Sequence, residues 1–502
     1  MKQLAAVLCV LCVSAVNHAV GAGERPNIVY VLADDMGYGD AGCYNSAAKI
    51  PSPSIDRLAA EGIRFTDAHS GSAVCSPTRY GILTGRYAWR SSLQRGVLGP
   101  WAKPLIHPGR LTVAELLRRN GYATAAFGKW HLGMEWPKAG KKEVVFDRPI
   151  GGGPTALGFD TYFGTEVPNY PPYCFIENDR TVGIPSARKE TRDLFGRPGP
   201  MLPGWKFDAI LPTITEKTCR YIGTHAAGAR AGKPFFIYFA LTSPHEPIAP
   251  SAEFKGKSGI SDLADFMMET DWALGRVLDA IDQNGLAGNT LVFFAADNGH
   301  AKYTGVEALV AHGHHPSGPF RGYKGYIQEG GHRVPLVARW PGKARPHTTC
   351  DETVCLNSLM ATCAAMLGVT LPDDAGEDSF SILPLLLGQN PPEPTHPAVV
   401  HHSGGGSFAI RQGKWKLDFC PDNGFRRPDR KGRTSPFQLY DLSKDPAEVH
   451  DIQAEQPEML ERLTRLLEKY VADGRSTPGA PQHNDVRVDV WNGLTPPAFT
   501  KP

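Results

Sequence analysis

Two pairs of oxygen-bearing side chains, Asp34-Asp35 and Asp297-Asn298, each stand directly behind a short apolar run, in NIVYVLADDMG and TLVFFAADNGH. Carboxylates and an amide offer only oxygen, which hard cations take, whereas zinc sites of known spacing use histidine or cysteine. Calcium, with its looser coordination, suits such a set better than magnesium does. One acidic pair behind a strand is often just a solvated turn; two pairs behind separate strands point to one shared cation site. Groups able to move protons or hold anions follow two further runs of the same shape: Lys129 and His131 in YATAAFGKWHLG, and His245 in PFFIYFALTSPHEP. A cysteine opens CSPTRYGILTGR, residues 75–86. Pro77 suits the first turn of a helix, where its missing N–H is not needed, and Arg79 lies one turn past Cys75 on the same face. Two readings of Cys75 stand on these residues. It is a small apolar residue at a helix start, or a thiolate nucleophile activated by the helix N-terminus and Arg79.

These groups need a scaffold that aims them at one place. The runs 28–33 and 291–296 are nearly continuous in apolar residues and too short for helices, so they read as strands buried on both faces of a mostly parallel sheet. In such sheets ligands sit outside the carboxyl ends of the strands, so four polar clusters at four strand ends converge. Helices are visible between them. LTVAELLRRNGYAT has Thr112 as cap and Gly121 as stop. SDLADFMMETDWALGRVLDAIDQNG buries Phe266, Met267, Leu274, Val277, Leu278 and Ile281 and ends at Gly285, ahead of the 291–296 strand as a βαβ unit requires.

The motifs together resemble the formylglycine-dependent, type I sulfatases of the alkaline phosphatase superfamily. Cys75, Pro77 and Arg79 match the family's Cys-x-Pro-x-Arg, followed by Thr84, Gly85 and Arg86. PNIVYVLADDMGYGD, GKWHLG, PHEP, DNG and FRGYKGYIQEGGHRVPLVARWPG follow the family's order over nearly the whole chain. The resemblance implies an alkaline phosphatase-like α/β fold, a large mixed, mostly parallel sheet sandwiched by helices, with a small C-terminal α+β domain. It also implies that a formylglycine-generating or other sulfatase-maturing enzyme converts Cys75 to an aldehyde that carries water as a geminal diol. One hydroxyl attacks sulfur; the other then loses its proton and sulfate leaves by C–O cleavage. By the same likeness Asp34, Asp35, Asp297, Asn298 and the modified Cys75 hold calcium, and Arg79 and Lys129 steady the diol and metal. His131 is then the base that collapses the sulfated diol. His245 and Lys324 grip the sulfate, His245 also protonating the departing oxygen. The stretch TEVPNYPPYCFIENDR resembles exported bacterial sulfatases acting on galactose or N-acetylgalactosamine glycans. Asn169 receives no catalytic part there, and Tyr170 and Tyr173 either stack on a sugar face or pack in a loop.

The boundaries agree with an exported enzyme. Residues 1–22, with Lys2 and a leucine- and valine-rich run, fit a cleaved signal peptide, and no later stretch is apolar enough to span a bilayer. The expected product is soluble and periplasmic or secreted. Lys and Arg number 53 against 51 Asp and Glu, which excludes the basic stripe of a nucleic-acid binder. Residues 23–390 are expected to form the catalytic domain and 391–502 a C-terminal subdomain. A proline-rich linker, GQNPPEPTHP, precedes a hairpin around Gly413 and an amphipathic helix through Leu460, Leu463, Leu467 and Val471. Residues after Arg475 carry no clear signal. Cys350 and Cys355 are close enough to pair, with two free thiols the alternative. AHGHHPSG invites a metal reading, with a loop at the substrate mouth preferred; His300, His312, His314, His315 and His332 have no motif behind them. Two other functions remain open: a phosphate or phosphonate ester hydrolase with unconverted Cys75, and a non-catalytic glycan-binding relative.

Overall fold

The computed structural model describes residues 25–140, 143–193, 195–426 and 435–496; the expected signal peptide lies outside them. Its centre is a ten-stranded sheet. Five neighbouring strands are parallel, in the order Thr290–Ala296, Asn27–Asp34, Phe235–Pro244, Ala123–Lys129, Thr161–Thr165. Every residue of the first three is buried, so both sheet faces are covered, as their unbroken apolar sequence requires. Antiparallel strands flank this core, Leu336–Arg339 on one side and Ile176–Glu177 on the other.

Helices Ile210–Arg230 and Asp262–Gln283 pack on each other and on the Phe235–Pro244 strand. In Asp262–Gln283 all six apolar positions read from the sequence are buried, and Ser261 Oγ accepts the Ala264 N–H as its cap. Thr112 Oγ1 caps the Val113–Arg119 helix through Glu115 N at 3.1 Å. Helix Cys75–Thr84 is buried along its whole length and stops at Gly85, where φ is 65° and a Cβ would come within 2.8 Å of Ser379 Cβ. Only glycine meets both demands cheaply.

A second sheet, Val399–His402, Phe408–Gln412, Trp415–Asp418 and Gln438–Asp441, is wholly antiparallel. Helix Pro457–Ala472 buries Leu460, Leu463 and Leu467 against it in a core that also takes Tyr87 and Trp89 from just after the Cys75 helix. The chain after Arg475 wraps back onto the larger part: Asp485 N–H donates to Arg90 O at 2.7 Å, and Arg86 reaches the Asp485 carboxylate at 3.0 Å. All eight described cysteines are free thiols, Cys350 and Cys355 included. Among the described residues no helix is long and apolar enough to cross a membrane.

Candidate active site

Strand register explains why distant acids meet. Asn27–Asp34 and Thr290–Ala296 run parallel with Ala33 opposite Ala296, so the chain leaves both strands at the same level. Asp35 N–H then donates to Asp297 Oδ1 at 3.1 Å, and Asn298 Nδ2 donates to Asp35 Oδ1 at 2.7 Å. Lys129, last residue of Ala123–Lys129, places Nζ 2.9 and 2.6 Å from the two Asp34 oxygens. Cys75 opens its helix with Sγ 3.6 Å from Asp34 Oδ1 and 4.0 Å from Asp35 Oδ1. One turn on, Arg79 donates from Nε (3.1 Å) and Nη2 (2.7 Å) to Asp297 Oδ2, and from Nη1 to Lys129 O (3.2 Å). Lys324 Nζ lies 2.7 Å from Asp35 Oδ2, and His245 Nε2 lies 3.7 Å from the same oxygen. The structure therefore gathers Asp34, Asp35, Cys75, Arg79, Lys129, His245, Asp297, Asn298 and Lys324 through direct contacts.

Three buried carboxylates here face three buried cations. Burial opposes ionisation of Asp34, but Lys129, His245 and Arg79 outweigh it and hold the carboxyl well below its ordinary range. Asp35 is lowered in the same way, against burial, chiefly by Lys324 and His245. Asp297 goes the other way: burial and the Asp34 charge push it up to about 6 although Arg79 pulls it down. Asn298 Oδ1 is buried with no hydrogen-bond donor among the described residues, a cost of about 1–3 kcal/mol for an amide oxygen left unpaired. A carboxylate cluster with a spare amide oxygen and one carboxyl reluctant to ionise fits a hard divalent cation.

The protein groups around Cys75 favour its neutral thiol over the thiolate. Burial, with Asp297 and Asp34 adding to it, pushes the thiol up to about 12 against the pull of Lys129 and Lys324. Arg79, expected to activate the thiolate, is held instead by Asp297. A neutral thiol between carboxylates is a poor nucleophile.

Two histidines are sorted by their backbone partners. His131 Nε2 lies 3.0 Å from Leu98 O; a carbonyl only accepts, so Nε2 carries the proton. Nδ1 is left as a bare lone pair, buried and unpartnered. Burial, Lys129 and Arg79 hold His131 well below 6.5, and its backbone sits at φ 56°, a strained setting for a non-glycine residue. His245 Nδ1 donates to Glu246 O at 2.6 Å, leaving Nε2 bare, and burial with Lys129 pushes it down to about 4. Burial and the cations around it keep it neutral, and an arriving anion favours its protonated form.

Cys75, His131, His245 and Lys324 line one cavity of about 540 Å³, together with Asn169, Tyr170, Glu246, Tyr303 and Phe425. Asn169 Nδ2 donates to Glu246 Oε1 at 2.8 Å. Tyr173 is a packing residue, its hydroxyl donating to Arg197 O at 2.6 Å, so only Tyr170 of the two tyrosines reaches the cavity. Sequence reading missed Glu246, one place after His245, and Phe425, which comes from the C-terminal part and has no local signal. It also missed Asp40, whose two oxygens meet His300 Nδ1 (2.9 Å) and His314 Nε2 (2.8 Å); His300 O in turn accepts the Lys324 N–H at 2.9 Å. In AHGHHPSG, His314 serves Asp40, His312 and His315 are exposed, and none of the three lines the cavity.

A second buried cluster, His69, Glu329, His332 and His401, also places ligand atoms near one another. The His332 and His401 rings stack at 3.8 Å with 12° between planes. Ring lone pairs lie in the ring plane, so two nearly parallel imidazoles cannot point at one ion. The rest is saturated by charge: His69 Nε2 meets Asp67 at 2.7 Å, and Glu329 is paired with Arg333, Arg411 and Lys416. This network fastens the C-terminal sheet, through Arg411 and Lys416, to the larger part.

Comparison with known proteins agrees with this centre. The family model described as Sulfatase matches residues 26–369. The N-acetylgalactosamine-6-O-sulfatase of Bacteroides thetaiotaomicron is 32% identical, over 89% of this chain and 93% of its own. Arylsulfatase A of Homo sapiens is 34% identical over 96% of each chain. A solved structure, from work on the metabolism of multiple glycosaminoglycans by Bacteroides thetaiotaomicron, aligns with a TM-score of 0.78 at 31% identity, covering 89% of this chain and 99% of that one. On these matches the chain belongs to the type I sulfatase family and is a sulfuric ester hydrolase.

Proposed function

We propose that the protein hydrolyses sulfate esters on a carbohydrate of galactose or N-acetylgalactosamine type, using the hydrate of a formylglycine made from Cys75 and a calcium ion. The observation that carries this reading is the buried meeting of Cys75 with Asp34 and Asp35, beside the donorless Asn298 oxygen and at the floor of an open cavity. A thiol has no second hydroxyl through whose proton loss sulfate leaves, so conversion to a hydrated aldehyde supplies what the unmodified residue lacks. The match to sulfatases along most of the chain disfavours the phosphatase reading with unconverted Cys75.

Asp34, Asp35, Asp297, Asn298 and the modified residue would hold the ion. Calcium supplies positive charge that eases proton loss from a neighbouring hydroxyl and offsets charge on sulfuryl oxygens. Arg79 and Lys129 fix the carboxylates. Lys324 and His245 face the cavity as anion-binding groups, His245 taking at Nε2 the proton destined for the leaving oxygen. His131 offers its bare Nδ1 as the base that takes the proton from residue 75. One relative named above is an N-acetylgalactosamine-6-O-sulfatase, which supports the substrate class. In this reading residues 1–22 export the protein to the periplasm or medium, 23–390 form the catalytic domain, 391–502 its subdomain, and a maturing enzyme acts on Cys75.

The test is turnover of an aryl sulfate by the matured enzyme. Chelation should abolish it and added calcium restore it; turnover indifferent to chelation contradicts the proposal.

A further inference from the structure

Arg192 and Arg197 line the same cavity as Cys75 and Lys324. Neither forms an ion pair among the described residues, and the acid beside Arg192, Asp193, is taken by Lys189 at 2.6 Å. Asp193 and Gly196 exchange two backbone hydrogen bonds of 3.1 Å as an antiparallel bridge. Arg192 and Arg197 stand immediately outside this bridge, one on each side. Burial raises the Glu246 carboxyl and the Arg192 charge is among those that pull it back down, but the two form no salt bridge among the described residues.

The turn and Arg197 are fixed in place. Gly196 has φ 125°, and a Cβ there would lie 2.4 Å from Tyr173 Oη and 2.5 Å from Asn169 O, so the turn is pressed onto the 169–173 segment. Arg197 Nη2 donates to Tyr170 Oη at 3.2 Å, and its guanidinium lies 4.2 Å over the Tyr170 ring. The edge-on neighbour of that ring is His131, with centroids 5.8 Å apart. The charge of Arg197 is thus held in place, two contacts from the candidate base, and left unneutralised. The third cavity cation, Lys324, already has Asp35. Glu246, the other cavity acid, accepts from Asn169.

We propose that Arg192 and Arg197 form a second anion site, and that the preferred substrate carries a further carboxylate or sulfate on the sugar next to the one bearing the scissile sulfate. Paired guanidinium groups match either anion by charge-assisted, bidentate hydrogen bonds. The cavity, about 540 Å³, lies within the ~300–1,000 Å³ of ordinary ligand sites, and the half-exposed rings of Tyr303 and Phe425 on its lining offer apolar faces to a second sugar. This inference rests on the carbohydrate sulfatase reading.

The experiment compares matured wild type with R192A, R197A and the charge reversal R192E. The substrates are 4-nitrophenyl sulfate and three disaccharides of 6-sulfated N-acetylgalactosamine, whose neighbouring sugar bears a carboxylate, a second sulfate, or the carboxyl reduced to an alcohol. Each disaccharide is assayed both for cleavage and as a competitor of aryl sulfate turnover. Wild type should favour the doubly anionic disaccharides over the reduced one by roughly tenfold or more, and the two anionic disaccharides rank carboxylate against sulfate. R192A and R197A should lose that preference through KM or Ki, R192E should reverse it, and each should lose at least tenfold less on the aryl sulfate. The inference is overturned if wild type handles charged and reduced disaccharides alike, if none of them is cut or competes while the aryl sulfate is turned over, or if the variants lose all substrates equally. Absence of aryl sulfate turnover by matured wild type refutes the sulfatase reading instead. Equal unfolding temperatures for R192E and wild type separate recognition from folding.

Discussion

The carboxylates around Asp34 and the imidazoles around His69 lie in equally dry surroundings, yet what they leave unsatisfied differs. Around Asp34 the spare atom is an amide oxygen, Asn298 Oδ1, beside a carboxyl pushed up to about 6. Around His69 the atoms without a hydrogen bond are the two ring nitrogens of His401, which is stacked flat on His332, and Glu329 Oε1, which faces the Lys416 ammonium at 3.2 Å. Oxygen donors from two in-register strand ends converge; parallel rings do not. Nearness of ligating residues is therefore a weak signal, and the direction of the lone pairs decides which cluster can take an ion. The first cluster opens onto a cavity, whereas the second joins two sheets.

Substitution of Asn298 by alanine should sharpen the contrast most. It removes an oxygen donor and should weaken calcium binding by roughly 10–100-fold by calorimetry; unchanged affinity would remove Asn298 from the cation site. The matching change in the other cluster, Glu329→Gln, breaks buried pairs with Arg333, Arg411 and Lys416. It should lower unfolding stability by about 3–5 kcal/mol while leaving the calcium affinity of the folded enzyme within twofold. A loss of calcium with intact stability would reverse the two assignments. Lys324→Met removes a cation that competes with the ion for Asp35 at 2.7 Å. KM for a sulfate ester should rise by about tenfold, and calcium should bind no more weakly than in wild type.

The smallest effect is in the pH profile. Because burial, Lys129 and Arg79 hold His131 well below its ordinary value, the base stays unprotonated as pH falls past 6.5, the value of an exposed histidine. The acid limb of kcat/KM should therefore lie below pH 6.5. A limb at or above that value would mean that His131 is not the base, or is not neutral.

Much of the site was legible because each motif ends a secondary-structure element. The unbroken apolar runs before Asp34, Lys129, His245 and Asp297 gave the parallel strands, and parallel strands must deliver their following residues to one edge. Thr112, Gly121 and Gly285 marked helix limits by their own chemistry. What stayed hidden depends on long-range contact. Nothing near Phe425 says that it reaches the cavity, nothing in AHGHHPSG says that His314 turns to Asp40, and nothing around Tyr173 says that its hydroxyl is used by Arg197 O. The surroundings of Cys75 were hidden for the same reason: the helix start was visible, but the carboxylates facing it came from elsewhere in the chain.

The state of residue 75 carries the whole account. Peptide mass spectrometry of the enzyme from a maturation-competent host, read beside its aryl sulfate turnover, tests it most directly. The account predicts a residue that has lost sulfur and gained an aldehyde oxygen, in a fraction that rises and falls with specific activity across preparations. Full activity from material carrying only an intact thiol at Cys75 would contradict it.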